Sequence, residues 1–236
     1  MNGVLNVARL QMNKRDVTFG TPAGIVGIVL ILSALIAIAL QRAGVDPSDP
    51  DYIAGARNNL GIVWSLPGFL VYYGVQAVAT TFPFAMALGS TRRSYVLGTA
   101  LANVVTALYV SLILTGLLLL ELATGHWWFN IYVLDNYALG SGNPGVLLLT
   151  AFLGVLFCTS VGGMFAGVWV RYGNRGPTIL GLSIGVLLAS LILIFVPYVG
   201  EIFAAITAAK LAWIALVLSA LAMFGTWLAM RRTAVR

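Results

Sequence analysis

Cutting the sequence at every Asp, Glu, Lys and Arg leaves six uncharged runs of 20 residues or more: 17–41, 58–91, 94–120, 136–170, 176–200 and 211–230. No other feature constrains the fold as much. A helix rises about 1.5 Å per residue, so roughly 20 apolar residues cross about 30 Å of hydrocarbon. The chain is 60% hydrophobic and 8% charged, with a mean hydropathy of +0.97. Those values exclude a water-soluble globule. The sequence therefore predicts an all-α integral membrane protein, with one transmembrane domain over 1–236 and spans near 22–41, 62–88, 96–121, 144–170, 177–198 and 209–230.

The distribution of charge sets the expected orientation. With the N-terminus cytoplasmic, ten basic residues fall inside: Arg9, Lys14, Arg15, Arg92, Arg93, Arg171, Arg175, Arg231, Arg232 and Arg236. Only Arg42, Arg57 and Lys210 fall outside. This bias predicts that both termini are cytoplasmic. The acids run the other way, so the net charge of +6 divides into +9 inside and −3 outside. The basic balance then reflects orientation in a membrane, not nucleic-acid binding. Trp64, Trp127, Trp128 and Trp213 fall at proposed outer ends, and Trp169 and Trp227 at inner ends, as interfacial aromatics should. Ala37–Gln41, "AIALQ", resembles a signal-peptide cleavage site, but the charged leader and long apolar run favour an uncleaved first span. The single cysteine, Cys158, lies within span 4, forms no intrachain disulfide and gives no redox signal.

Residues 1–16 are too polar to span. Met1, Val4, Leu5, Ala8 and Met12 follow helical spacing, which predicts an N-terminal helix lying on the inner membrane surface. Outer segment 42–59 reads as an acidic loop, and 124–143 as an aromatic segment resting at the interface. Segment 197–210 is too apolar for a solvated loop and too short for a span, so a re-entrant helical segment is expected between spans 5 and 6.

Several chemistries lack their residues. No P-loop motif occurs, and the chain has only two lysines, Lys14 and Lys210, so it has no ATP site of its own. "GSGNPG" at 140–145 matches a dinucleotide fingerprint only by chance, since no strand precedes it. His126 is the only histidine and reads as an interfacial polar residue, with Glu121 the nearest acid in sequence. Catalytic and metal residues are therefore not expected. No ionisable residue lies mid-span, which argues against ion-coupled transport. Mild polar groups at depth include Gln76 and Thr80 in span 2 and Ser183 and Ser190 in span 5. With Phe69, Tyr72 and Tyr73 nearby, they form either an aromatic, weakly polar pathway or simple cross-helix bonds. Gly163/Gly167 and Gly181/Gly185 have the i, i+4 spacing that lets helices approach closely.

The sharpest local signal is "FPFAMALGSTRRSYVLGT" at 82–99. Pro83 predicts a kink, Gly89 a helix stop, and Ser90 and Thr91 N-cap candidates, leaving a compact basic knob. This stretch resembles the first cytoplasmic loop of small six-span permease subunits of bacterial ATP-binding cassette exporters, the type-two permease family. There a G-x-[ST]-R-R-x-[FY]-x-x-G-T pattern is frequent. The resemblance in topology extends across nearly all 236 residues. It implies that Gly89, Ser90, Thr91, Arg92, Arg93, Ser94 and Tyr95 form an ATPase-coupling helix beside an elbow helix carrying Arg9, Lys14 and Arg15. It further implies two copies of a separate nucleotide-binding subunit carrying ATP and Mg, a second permease that is identical or homologous, and a pathway formed by spans 2 and 5.

The expectation is an ATP-driven exporter subunit in a bacterial plasma membrane, moving a lipophilic or amphipathic drug, lipid or peptide. A different class, a non-transporting anchor or sensor that recruits a cytoplasmic partner through the same loop, is the alternative.

Overall fold

The structure, a computed structural model, describes residues 2–200 and 208–231, with side chains from 3–200 and 210–231. The described residues contain α-helices and short helical turns and no strand. The helices are α1 (Asn2–Gln11), α2 (Thr21–Arg42), α3 (Pro50–Ala56), α4 (Gly61–Ala87), α5 (Arg92–Ala123), α6 (Pro144–Tyr172), α7 (Arg175–Phe195) and α8 (Ala208–Met230). Six of them, α2 and α4 to α8, are long and apolar enough to cross a membrane. The shortest of these, α7, has 21 residues, about 31 Å at helical rise. The expected re-entrant segment falls largely on 201–207, outside the described residues, as do Arg232 and Arg236.

The chain folds as two compact units. The first comprises 1–11, 71–101 and 157–236. Its centre is a buried cluster of Val7, Val78, Phe82, Ala85, Tyr95, Ala166 and Met230, with the Phe82 and Tyr95 rings edge-to-face at 5.1 Å. Helices in lipid gain little from apolar burial alone and depend on close van der Waals fit. Here α4 and α6 meet with their backbones touching. A Cβ on Gly74 would stand 2.3 Å from the Thr159 carbonyl oxygen, and one on Gly162 would stand 2.2 Å from that of Val71. The spacing-selected Gly163 and Gly167 pack less tightly, 3.4 Å from Val78 and Ala229. A Cβ on Gly185 would meet nothing within 4 Å.

α1 belongs to this unit and lies against α5. Its buried face is Val7, Ala8 and Gln11, while Leu5, part of the predicted stripe, is 44% exposed. Gly98 explains the rotation, because a Cβ there would stand 2.6 Å from the Val7 Cβ and 2.7 Å from the Val4 carbonyl. The missing side chain lets the α1 backbone settle on α5. Gln11 then donates to Thr99 Oγ1 at 2.8 Å and to the Tyr95 hydroxyl at 3.2 Å. Gly98→Ala should lift α1. Overpacking of about 1–3 kcal/mol corresponds to roughly 5- to 150-fold faster amide exchange over residues 4–11. Unchanged exchange there would show that α1 does not depend on this contact.

The second unit comprises 12–70 and 102–156. Within it the Tyr109 hydroxyl donates to the Phe19 carbonyl at 2.9 Å, ahead of α2. Residues 131–136, expected to rest at an interface, are all buried. A turn in left-handed conformation precedes them, with φ of 60, 61, 58 and 61° at Gly125, His126, Trp127 and Trp128. Side chains other than glycine disfavour this region by about 1–2 kcal/mol each, so the turn requires outside support.

Candidate functional site

The α4–α5 turn is built residue by residue. Gly89, at φ +79°, is the left-handed residue past the end of α4. The Ser90 amide donates to the Ala85 carbonyl and the Gly89 amide to that of Met86, each at 3.0 Å. This pair of bonds is a Schellman stop. Thr91 then caps α5, its Oγ1 accepting from the Ser94 amide at 3.1 Å and donating to Ser94 Oγ at 2.9 Å. The predicted separate knob is absent, because Arg92 is already the first residue of α5. α4 runs unbroken through Pro83 to Ala87. Tyr95 is fully buried, its hydroxyl sharing a 2.7 Å bond with Thr81 Oγ1. Gly3 of α1 lies beside Ser94, where a Cβ would stand 3.3 Å from Ser94 Oγ.

Every residue of "GSTRRSY" except the two arginines thus has a local structural role. Arg92 and Arg93 occupy the first turn of a helix, where the macrodipole favours anions, and that turn contains no acid. Arg92 donates to the Arg231 carbonyl at the end of α8, and the Arg231 guanidinium lies 5.3 Å above the Trp227 ring. Together with Val96 and Leu97 these residues line an open groove of about 640 Å³. Arg171 serves the same helix end, donating to the Leu228 carbonyl at 3.1 Å. Arg9, Lys14 and Arg15 are exposed, Arg9 on α1 and the other two between α1 and α2.

The candidate pathway residues differ in exposure. Tyr73 is buried, Phe69 and Gln76 are half-buried, and Tyr72, Thr80, Ser183 and Ser190 are exposed. Thr80 and Ser190 return their hydroxyls to carbonyls of their own helices, Gln76 and Val186. Ser183 and Ser190 lie on α7, whose apolar stretch has no buried residue.

A dense set of charged and hydrogen-bonded groups lies in the second unit, at residues that sequence reasoning set aside. Glu121 is fully buried in the last turn of α5. Its Oε1 accepts from the amides of Val133 at 3.0 Å and Asp135 at 3.2 Å, and its Oε2 from Leu134 at 2.9 Å. Asp135 Oδ1 in turn pairs with Arg57 at 2.6 Å, and Oδ2 with His126 Nε2 at 3.1 Å. The His126 ring lies 4.0 Å from that of Tyr132. Burial, with the Asp135 carboxylate adding to it, pushes the Tyr132 phenol above its ordinary value. The available signal was an acid ending an apolar run with a second acid 14 residues on. His126 takes Asp135 as its partner, while Glu121 clasps backbone. This network holds the strained 125–128 turn in place.

No protein-family model, curated protein or solved structure matches the chain. Its class therefore rests on its architecture, that of an all-helical, multi-pass type of membrane protein with six candidate spans.

Proposed function

We propose that this chain is the permease subunit of an ATP-driven exporter of the cassette type, working in a bacterial plasma membrane with both termini cytoplasmic. One observation carries the reading. Arg93 stands exposed in a helix first turn where the local electrostatics disfavours it, in a loop whose other residues all have structural roles, Arg92 through its bond to the Arg231 carbonyl. Charges kept against a local rule point to a use elsewhere. A docking ATPase with an acidic groove supplies that use. Export needs two such ATPase subunits, carrying ATP and Mg, and a second permease. The substrate class that suits the apolar spans is a lipophilic or amphipathic drug, lipid or peptide. α1, acting as the elbow helix, packs against α5 beside the loop, so movement of the loop would carry both. The re-entrant segment before α8 belongs to this same reading.

The test pairs Arg93→Glu with the double change Arg92→Glu/Arg93→Glu in cells co-expressing the cassette ATPase that the reading requires. Arg93 is exposed, so its reversal should leave the melting temperature within about 2 °C, as surface substitutions do. ATPase co-purification should fall at least about tenfold, and transport with it. Unchanged assembly and transport would overturn the reading. Assembly that needs both arginines while no substrate moves would favour a membrane anchor instead.

A further inference from the structure

We infer that a second site, a half-open cavity of about 390 Å³ between α2, α3 and Ile131–Tyr132, binds an amphiphile with a cationic, alkylammonium-type head. Its volume is within the range of small-molecule pockets, roughly 300–1,000 Å³. Ile36, Ala37 and Leu40 of α2, Ala56 and Ile131 form apolar walls, and Asp51 stands among the lining residues.

Most polar groups around this cavity are already occupied by the fold. Asn59 Nδ2 donates to Ser33 Oγ at 3.0 Å and to the Tyr132 carbonyl at 3.3 Å, and the Tyr52 hydroxyl donates to the Asn130 carbonyl at 3.2 Å. These bonds hold the walls in place and leave little for a neutral polar ligand. The acids before and at the start of α3 differ among themselves. Asp46 accepts from Ser48, and Asp49 caps α3 by accepting from the Asp51 amide at 2.9 Å. The exposed Asp51 carboxylate accepts no hydrogen bond from any described residue. Arg57, the cation nearest in sequence, is held by Asp135 at 2.6 Å and lies over the Tyr137 ring at 5.1 Å. The cavity therefore combines apolar walls with one negative charge that has no cationic partner among the described residues.

Access follows from α2. Ile31, Leu32, Leu35, Ile36 and Leu40 are exposed along it, so the cavity wall continues into a face that lipid would cover. An alkyl chain can lie along this face while its ammonium reaches Asp51. Fatty-acid anions would meet repulsion there, and neutral alcohols would gain nothing from the carboxylate.

This inference does not depend on ATPase coupling. Its test uses the full chain in phosphatidylcholine nanodiscs with a diazirine-bearing dodecylammonium probe. Photolabelling should map to 36–40 and 131–132, and dodecylamine should displace the probe where dodecanoate does not. Asp51→Asn, which removes no internal bond, should weaken probe binding about tenfold, as loss of one ion pair near an interface would. Ala56→Trp, filling the cavity, should abolish it, with the melting temperature confirming that each variant folds. Equal labelling of Asp51→Asn, equal displacement by dodecanoate, or labelling elsewhere would overturn the site. A further arm distinguishes the source. Suppression of labelling in phosphatidylethanolamine nanodiscs identifies a lipid amine as occupant, and unchanged labelling there identifies a free cationic amphiphile; either supports the site.

Discussion

Glu121→Ala should cost about 3 kcal/mol or more, since each buried amide left without its acceptor costs about 1–3 kcal/mol. Three backbone amides, those of Val133, Leu134 and Asp135, lose their acceptor at once. Against a typical total of about 5–15 kcal/mol, that loss is large. Thermal unfolding in detergent should show it directly, and amide exchange at 133–135 should locate it. Glu121→Gln should fall between, because one oxygen remains while an amide nitrogen now faces a donor. The left-handed Gly125–Trp128 turn should relax in the alanine variant, since Asp135 no longer fixes His126 and Arg57. Unchanged exchange and melting in Glu121→Ala would refute the clasp.

The second large effect is expected at the α4–α6 crossing. Gly162→Ala places a methyl 2.2 Å from the Val71 carbonyl oxygen, and Gly74→Ala places one 2.3 Å from that of Thr159. Neither neighbour is a flexible side chain, so the helices must separate. Each change should cost about 3 kcal/mol or more, at the upper end for overpacking. The double variant should cost less than the sum, because one separation relieves both clashes. Two controls give the comparison its force. Gly163→Ala meets Val78 Cγ2 at 3.4 Å and Thr226 Oγ1 at 3.8 Å and should be mild, while Gly185→Ala meets nothing within 4 Å. The latter should be neutral or stabilising by up to about 1 kcal/mol through helix propensity. Denaturant titration of the four single variants would test this order, and equal losses at Gly162 and Gly185 would reject it.

The sequence showed the spans clearly because charge is costly in hydrocarbon, so uncharged length alone marks a crossing helix. The end of α4 was also legible, since Gly89 and Thr91 act through their own backbone and nearest neighbours. The crossing was not. Small-residue spacing picks out Gly163 and Gly167, whereas the tight contact joins a lone Gly74 to Gly162, and only the crossing geometry of α4 and α6 selects those two. α1 shows the same limit: its stripe was visible, but Gly98 on a distant segment decides which side is buried. Glu121 was hidden for a further reason. An acid at a helix end reads as interfacial, and nothing in its own neighbourhood announces three amides that curl back to meet it.

That curl has a consequence for the order of assembly. Glu121 reaches its amides across only 12 to 14 residues, a short loop whose closure entropy is small. The clasp can close once residue 135 has emerged, before α6 begins at Pro144. The bond from Arg57 to Asp135 bridges 78 residues and gains most once Asp135 is already in place. The short loop thus favours early closure around the buried carboxylate, with chain from far upstream expected to dock on it later.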